Sequence, residues 1–213
     1  MRRDGPKGTV AMHQRTLAAG VGPRRQCRKV DPMRVIAGSL KGRRLEPPTW
    51  DGLRPTSDKL RETLFNILAS RPGGVVGVRL LDGYAGTGAI GIEAISRGAS
   101  HVTFVERDRR AQALIAANLD HCGIANGYAI IRASVARGFV ELASAASVFD
   151  IVVLDPPYSQ LVEGTAGSLV AKDGVLVLEH ARRSKAPDAI GPLARTRDVI
   201  AGDSALSFYA WPP

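Results

Sequence analysis

The strongest constraint on the fold of this chain is a repeated alternation of short apolar runs and amphipathic segments between residues 79 and 179. Runs such as Ile-Val-Val-Leu at Ile151–Leu154 are typical of parallel strands that are buried beneath helices on both faces. The segments between the runs carry apolar residues at helical spacing. The alternation therefore predicts an α/β domain with a parallel sheet, in which ligands bind at the carboxyl ends of the strands.

The same patterns predict the individual elements. Strands are expected at Arg79–Asp82, His101–Val105, Tyr128–Arg132, Phe149–Leu154, Gly174–Glu179, Thr196–Ile200 and Ala205–Trp211. Helices are expected at Ala89–Ser96, Asp108–His121, Val135–Leu142 and Leu161–Val170. Ahead of them, we expect a small basic hairpin around Gly38–Gly42, then a helix with Ser57 near its start. The apolar face of this helix carries Leu60, Leu64, Ile67 and Leu68.

Positive charge is concentrated at the start of the chain. Residues 1–44 hold 12 Lys and Arg against 2 Asp and Glu, whereas residues 45–213 hold 17 against 18. This asymmetry suggests a polyanionic partner such as nucleic acid, and the alternatives are a solvated tail that aids solubility or an organelle transit peptide. Residues 1–32 are predicted to be a basic disordered extension, unless the true start is Met33. Residues 33–72 then form the hairpin and helix, and residues 73–213 the main domain.

Composition excludes several classes of protein. Apolar runs are too short for a membrane span of about 18 residues, and no apolar segment follows the first arginines as it would in a secretory signal. Cys27 and Cys122 lie far apart and outside any CxxC spacing, which argues against a disulfide scaffold or a zinc site. We therefore expect a monomer in the reducing cytoplasm that uses neither a membrane nor a metal.

A glycine-rich loop follows the first predicted strand, in the sequence Asp82-Gly-Tyr-Ala-Gly-Thr-Gly-Ala-Ile-Gly91. Gly86 and Gly88 allow a tight turn and a close approach to a ligand. Glu106 ends the second predicted strand, 20 residues after Gly86, which is the spacing at which a carboxylate accepts the hydroxyls of a ribose. The pattern predicts a cofactor that contains a nucleoside.

The glycines alone leave the identity of the cofactor open, because Gly86-x-Gly88-x-x-Gly91 also fits the dinucleotide fingerprint. Asp82 favours S-adenosylmethionine over NAD, since an acid at this strand end would repel a pyrophosphate and hold a methionine ammonium. Four residues from Asp82 onward also separate the strand from Gly86, whereas a dinucleotide requires glycines packed against the strand end. The alternative role for Asp82 is to cap a turn or helix.

The sequence Asp155-Pro156-Pro157-Tyr158 follows the fourth predicted strand. Two prolines fix φ and remove two donors, which makes the turn rigid. An ionised Asp155 and the Pro156 carbonyl can accept both hydrogens of an exocyclic amino group, and Tyr158 offers a ring on which a base can stack. We therefore predict that these four residues are catalytic in transferring a methyl group to an aryl amine. The alternative is an ordinary turn that leaves a strand.

Together these motifs resemble those of the RsmD family. They comprise Arg54-Pro-Thr-Ser with Arg61-Glu-Thr-Leu-Phe-Asn66, the loop and helix from Asp82 to Ala99, Phe-Val-Glu106 and Asp-Pro-Pro-Tyr158. The resemblance covers about residues 33–211. It implies a Rossmann-like class I S-adenosylmethionine-dependent methyltransferase, with a mostly parallel seven-stranded sheet, helices on both faces and an N-terminal β-hairpin and helix. It also implies methylation of the N2 amino group of a guanine in 16S ribosomal RNA, free or in the small ribosomal subunit.

The resemblance also implies roles for single residues. The cofactor site would comprise Thr56, Asp82, Tyr84, Ala85, Gly86, Thr87, Gly88, Glu106, Arg107 and Ser134. Separately from the resemblance, their positive charge suggests that a set of basic residues contacts RNA phosphates: Arg34, Lys41, Arg43, Arg44, Arg54 and Arg61. Two positions depart from the family pattern. Gly83 replaces a bulky apolar residue and is expected to loosen the first strand end, and Ser134 stands where an Asp or Asn commonly contacts the adenine.

Other functions remain open at this stage. The Pro-Pro-Tyr turn also serves DNA methyltransferases that act on adenine N6 or cytosine N4, and enzymes that methylate a protein glutamine. A DNA enzyme usually has a separate recognition domain, for which 213 residues leave little room. A catalytically idle RNA-binding protein on the same scaffold and a dehydrogenase are the rivals from other classes.

Overall fold

The structure is a computed structural model that describes Met1 and residues 33–50, 56–156 and 165–213. The chain divides into two compact units, Met1–Asp31 and Pro32–Pro213, and the elements described belong to the second. The predicted extension over residues 1–32 lies outside the described residues, Met1 excepted. Within these ranges, no helix is both long enough and apolar enough to cross a membrane.

Helices and strands alternate along the described chain as far as residue 181, and three further strands follow. The helices are α1 (Asp58–Ala69), α2 (Ala89–Ser96), α3 (Arg109–His121), α4 (Val135–Ser144) and α5 (Thr165–Ser168). The strands are β1 (Arg79–Gly83), β2 (His101–Val105), β3 (Tyr128–Ile131), β4 (Phe149–Leu154), β5 (Val170–Ala181), β6 (Ala189–Ile190), β7 (Leu193–Ala201) and β8 (Ser204–Ala210). The helix predicted over Leu161–Val170 ends at Ser168, because Val170 already starts β5, and residues 161–164 lie outside the described residues.

The strands form a single sheet in the order β3-β2-β1-β4-β5-β8-β7-β6. The five strands from β3 to β5 in that order are parallel, and β8, β7 and β6 are antiparallel. The predicted fold class is confirmed. The described sheet has one strand more than the seven expected, because Ala189–Ile190 pairs with the start of β7. Two residues are too short for an alternating pattern to reveal.

Alternate residues of each strand face two cores on opposite sides of the sheet. In β1, Leu80 belongs to the core beneath α1, α2 and α3, whereas Leu81 belongs to the core beneath α4 and α5. Phe104 and Phe139 are fully buried on these two sides, respectively. Helices therefore cover both faces, which explains the apolar runs of the central strands, such as Ile151–Leu154.

Residues 33–45 form a loop closed by one antiparallel bridge between Arg34 and Arg44, rather than a hairpin of two regular strands. The tip of this N-terminal loop binds α2 instead of extending the pairing. The Ser39 N–H donates to the Ser96 carbonyl at 2.8 Å. Gly38 has a φ of +86°, and a Cβ there would lie 1.9 Å from the Ser96 oxygen, so only glycine fits.

Helix α1 starts as predicted, with Ser57 as its N-cap. The Ser57 hydroxyl accepts a hydrogen bond from the Leu60 N–H at 3.3 Å. Leu60, Leu64 and Leu68 are buried, while Ile67 is only half-buried and Phe65 occupies the core. Residues from both the N-terminal loop and α1 thus complete the same core as β1 and α2.

Candidate active site

The carboxyl ends of three neighbouring strands bring Glu106, Asp82 and Asp155 to one edge of the sheet, here called the catalytic edge. Gly83 at the end of β1 is in register with Val105 of β2 and with Leu154 of β4. These three acids were predicted from separate motifs, and the parallel register is what places them side by side. Within the described residues, no group of three or more His, Cys, Asp or Glu could hold a metal ion.

Asp82 is almost fully buried, and its Oδ2 accepts the N–H of Gly91 in the first turn of α2 at 3.0 Å. The capping role considered as an alternative is therefore present. Burial raises the pKa of Asp82 well above its usual value, the Gly91 hydrogen bond lowers it, and the nearby charges of Asp155 and Glu106 raise it further. An ionised Asp82 is consequently stabilised by any cation that binds beside it.

The loop after β1 has an unusual backbone. Tyr84, Gly86 and Gly88 all have positive φ, at 65°, 55° and 77°. Gly88 is the left-handed N-cap of α2, a conformation that glycine adopts without strain. Three N–H groups of this loop are bonded within the protein: that of Ala85 to the Val105 carbonyl, that of Gly86 to Glu106, and that of Gly88 to the Ala85 carbonyl.

The side chains of this loop are used for packing. Ala85 and Thr87 are both buried, and the Thr87 hydroxyl lies 3.7 Å from the Met33 sulfur. The Ala85 N–H donates to the Val105 carbonyl at 3.1 Å. Both side chains are therefore used in packing rather than exposed to a ligand.

Glu106 binds the protein's own backbone with both carboxylate oxygens. Its Oε2 accepts the Gly86 N–H at 2.9 Å, and its Oε1 accepts the N–H groups of Arg107 and Asp108 at 2.7 and 2.8 Å. Gln112 in turn donates to the Glu106 carbonyl at 2.8 Å. A carboxylate accepts about four hydrogen bonds, so these three contacts leave capacity for a ligand hydroxyl.

Two other predicted cofactor residues are exposed. The Arg107 side chain is exposed, while its N–H binds Glu106. Ser134 is the N-cap of α4, and its hydroxyl accepts the Arg137 N–H at 3.4 Å. An adenine contact by Ser134 would therefore compete with capping.

Asp155 lies directly beyond β4, with its N–H 3.5 Å from the Gly83 carbonyl. Thr56, just ahead of α1, donates its hydroxyl to Asp155 Oδ2 at 3.4 Å. Asp155 is half-buried and Pro156 is buried. Pro157 and Tyr158, like Arg54, lie outside the described residues. The structure thus joins two motifs that stand 99 residues apart in the chain.

The departure at Gly83 has no loosening effect. A Cβ at this position would lie 2.7 Å from Leu154 Cδ2 and 3.1 Å from the ring of Phe139. Neighbouring side chains therefore already fill the space of the missing one. The expectation of a loosened strand end is wrong, because the packing is complementary rather than empty.

The predicted RNA-binding residues fall into two groups. Arg34, Lys41, Arg43 and Arg44 are exposed on the N-terminal loop, which is compatible with phosphate binding. Arg61 is fully buried, so the prediction that it binds phosphates is wrong. Its Nη2 donates to Asp58 at 2.5 Å and to the Arg34 carbonyl at 2.8 Å. It thus links α1 to the N-terminal loop instead of reaching solvent.

Sequence reasoning missed two residues that shape the site from behind. Glu93 of α2 is fully buried and accepts the N–H groups of Ile36 and Ala37 at 2.7 and 3.0 Å. Asn118 of α3 donates to the Thr87 carbonyl at 3.0 Å and so supports the glycine loop. A single acid inside the apolar helix Ala89–Ser96 was the available signal for Glu93, since a buried charge requires partners.

A doubly wound sheet with a glycine loop after β1, an acid after β2 and an Asp-Pro turn after β4 defines a class I methyltransferase. Residues 33–210 match the family described as Conserved hypothetical protein 95. The chain is 35% identical over 183 residues to Ribosomal RNA small subunit methyltransferase D of Escherichia coli K12, covering 83% of this chain and 89% of that protein. It therefore belongs to this family, the RsmD family.

Solved structures agree with this assignment. The Escherichia coli protein yhhF superposes with a TM-score of 0.69 at 32% identity, covering 84% of this chain and 97% of that one. The Thermus thermophilus protein TTHA0928 gives a TM-score of 0.71 at 27% identity, with 84% and 99% covered. The chain is accordingly a methyltransferase whose relatives are named for modifying ribosomal RNA.

Proposed function

We propose that this enzyme transfers a methyl group from S-adenosylmethionine to the N2 amino group of a guanine in small-subunit ribosomal RNA. The observation that carries the proposal is the position of Asp155 beside Asp82 and Glu106 at the catalytic edge. An acceptor for an amino group thus lies next to a site suited to a nucleoside. The relatives named ribosomal RNA small subunit methyltransferase D support the choice of RNA.

The cofactor is proposed because the groups present match its parts. Asp82 is a buried acid whose raised pKa would fall beside an ammonium group. Glu106 has remaining capacity for a ribose hydroxyl, and the positive φ of Gly86 and Gly88 allows the backbone to approach a ligand closely. Thr56, Arg107 and Ser134 stay predictions as cofactor contacts. When bound, S-adenosylmethionine supplies a methyl group on a positively charged sulfur.

Asp155 is proposed to accept an N–H of the target amine. This hydrogen bond turns the nitrogen lone pair away from the carboxylate, and it stabilises positive charge that develops on the nitrogen. As the N–CH3 bond forms, the bond between that methyl group and sulfur would break and leave a neutral thioether, and the proton lost by the amine would pass to Asp155 Oδ1 or Oδ2. Pro156 offers its carbonyl for the second N–H. Pro157 and Tyr158 stay predictions for rigidity and stacking.

Positioning supplies the rest of the rate enhancement. The guanine must leave its stack to enter the site, at a cost of a few kcal/mol. Stacking and hydrogen bonds within the site would offset that cost. Thr56 holds Asp155 at Oδ2, which fixes the orientation of the carboxylate before the base arrives. A fixed acceptor and an in-line methyl donor would lower the activation barrier, because the reacting groups are already oriented when the base is bound.

The decisive experiment incubates the protein with labelled S-adenosylmethionine and undermodified 30S particles, followed by nucleoside analysis. The proposal expects N2-methylguanosine. N6-methyladenosine or N4-methylcytosine in a DNA substrate would assign the enzyme to the DNA class and overturn it. Binding of RNA without transfer from an intact cofactor would identify an idle RNA-binding protein. The cytoplasmic location and the monomeric state stay predictions.

A further inference from the structure

The tip of the N-terminal loop lies away from the catalytic edge. Ser39 of this tip binds Ser96, the last residue of α2. Helix α2 starts at the catalytic edge and returns toward the amino ends of the strands, where the Gly98 carbonyl accepts the Gly77 N–H, ahead of β1, at 2.8 Å. Eight helical residues span about 12 Å. RNA bound at the tip is therefore separated from Asp155 by at least that distance.

A different set of cations lies at the catalytic edge, in the turn that follows β5: Arg182, Arg183 and Lys185. Strand β5 is parallel to β4, with Leu154 opposite Leu178, so residue 179 stands level with Asp155. Strand β5 continues to Ala181. At about 3.3 Å per residue, the turn begins about 10 Å beyond the level of Asp155, on the same edge.

The two arginines of this turn are free cations. Arg182 and Arg183 are exposed, and neither guanidinium has an ion pair or hydrogen bond with any other residue in the described part of the chain. Lys185 is 82% exposed and lies 3.9 Å from Asp188 Oδ2. Exposed cations without an internal partner are the groups that displace counterions from a nucleic acid backbone.

The backbone of the turn is fixed. The Arg182 N–H donates to the Asp203 carbonyl at 2.9 Å, and the Ser184 N–H donates to the Ala181 carbonyl at 2.9 Å. The second bond closes a four-residue turn with Arg182 and Arg183 at its two central positions. Two neighbouring cations are thus presented on a rigid support, which lowers the entropy lost when they bind a ligand.

A chain of side-chain contacts anchors the turn on both sides to β7 and β8. Downstream of the turn, Asp188 binds Arg195 Nη2 at 2.5 Å, and Arg195 Nη1 binds Asp198 at 3.2 Å. Ser207 donates to Asp198 at 2.6 Å and lies 2.8 Å from Nε2 of His180, which precedes the turn. The network neutralises Arg195 internally, whereas the arginines of the turn remain available.

We propose that Arg182 and Arg183 bind the RNA phosphates that flank the target nucleotide. The inference rests on the proposed RNA substrate and adds a second contact surface to the N-terminal loop. A base held at Asp155 leaves its sugar and phosphates outside the site, on the side where the turn projects. Phosphate contacts of this kind set the position of the nucleotide and read no sequence.

The test measures methyl transfer to undermodified 30S particles at several salt concentrations with the Arg182→Ala/Arg183→Ala variant. We expect the KM for the particle to rise roughly tenfold, and the salt dependence of log kcat/KM to flatten by about one to two units of slope. The kcat and the cofactor affinity should stay unchanged. Arg197→Ala is the matched control, because Arg197 is also exposed and lacks an ion pair among the described residues.

The variant Arg183→Lys keeps the charge and should retain most of the affinity in the same assay. A double alanine variant with wild-type KM and salt slope would overturn the inference. So would a loss of cofactor affinity, since the turn would then belong to the cofactor site. Failure of the wild-type protein to methylate any RNA would instead overturn the proposed function, and a melting curve of the double variant separates unfolding from lost binding.

Discussion

The two edges of the sheet are built on different principles. At the catalytic edge, Asp82 is buried with one hydrogen bond from the described residues, and the loop after it has positive φ at a tyrosine. At the opposite edge, Gly38 packs directly on Ser96, whose hydroxyl accepts the Leu40 N–H at 3.0 Å. The catalytic edge keeps hydrogen-bonding groups that a ligand can use. At the opposite edge, the polar groups are bonded within the protein and the backbone is tightly packed.

This difference teaches where substitutions should affect activity and where they should affect stability. A buried carboxylate such as Asp82 lowers the stability of the free protein and is stabilised when a ligand binds beside it. Tight backbone contacts, in contrast, stabilise the folded state without a ligand. Substitutions at the catalytic edge should therefore change turnover or cofactor affinity. Substitutions at the opposite edge should change the free energy of unfolding.

The largest effect is expected at Asp155. Asp155→Ala removes the proposed acceptor for the amine, and kcat should fall by about a thousandfold or more. Cofactor affinity, measured by calorimetry, should stay close to wild type, because the residues proposed to bind the ribose and the ammonium, Glu106 and Asp82, belong to other strand ends. The control Asp173→Ala alters an exposed acid after the start of β5 and should be silent. Lost cofactor binding in Asp155→Ala would show that its role is structural.

The opposite edge is tested by Gly38→Ala. A positive φ and a Cβ placed 1.9 Å from the Ser96 oxygen should together lower the free energy of unfolding by about 3 kcal/mol. Gly42→Ala is a matched control, since Gly42 has a φ of +84° and open space around its Cβ, and should cost about 1 kcal/mol. Urea titrations would measure both. Equal losses would mean that the contact with Ser96 carries no strain.

Asp82→Asn should have opposite effects on stability and on binding. The pKa of Asp82 in the folded state is raised above its usual value of 3.8, so the folded state holds the proton more tightly than the unfolded state. Wild-type stability therefore falls as the pH rises from 3.8 toward the raised pKa. The neutral variant escapes this loss, and its advantage in melting temperature should grow with pH. Its cofactor affinity should fall at least about tenfold, for want of a charge beside the ammonium.

The exposed Asp120 supplies the control for this pair of measurements, and Asp120→Asn should change neither. A stability advantage that shrinks with rising pH would contradict the assigned cause, since burial of the ionised form penalises the wild type only above its unfolded pKa.

The smallest effect is expected at Thr56. Thr56→Val keeps the shape and removes the hydroxyl that donates to Asp155 at 3.4 Å. A contact of this length should contribute about 0.5–1 kcal/mol, so kcat should fall by roughly two- to fivefold at unchanged stability. Thr63→Val removes a hydroxyl whose one hydrogen bond among the described residues is to the Lys59 carbonyl, and it should leave the rate unchanged.

Much of the catalytic edge was predictable because its residues follow strands. A parallel sheet places every strand end at one edge, so Asp82, Glu106 and Asp155 could be assembled without coordinates. Their hydrogen bonds to the protein's own backbone were not predictable, since Glu106 binds Gly86 through a loop conformation that sequence spacing does not specify. Tyr158 stays a prediction.

The N-terminal segment was harder to predict, because its partners are distant in the chain. Arg61 was assigned to phosphates on charge alone, yet it lies on the buried side of α1 and pairs with Asp58. Glu93 binds residues 36 and 37 across more than fifty positions. A short amphipathic pattern predicts which side of a helix is apolar. It does not predict which charged side chain will be buried together with that side.

The length of α2 fixes the distance between the glycine-rich loop and the tip of the N-terminal loop. Its first turn is held by Asp82 and its last residue receives the N-terminal loop, so eight residues set the spacing between the two. Insertion of a single alanine would rotate one end by about 100° and displace it by about 1.5 Å. The glycine-rich loop and the N-terminal loop would then be displaced relative to each other, although the sequence of neither loop had changed.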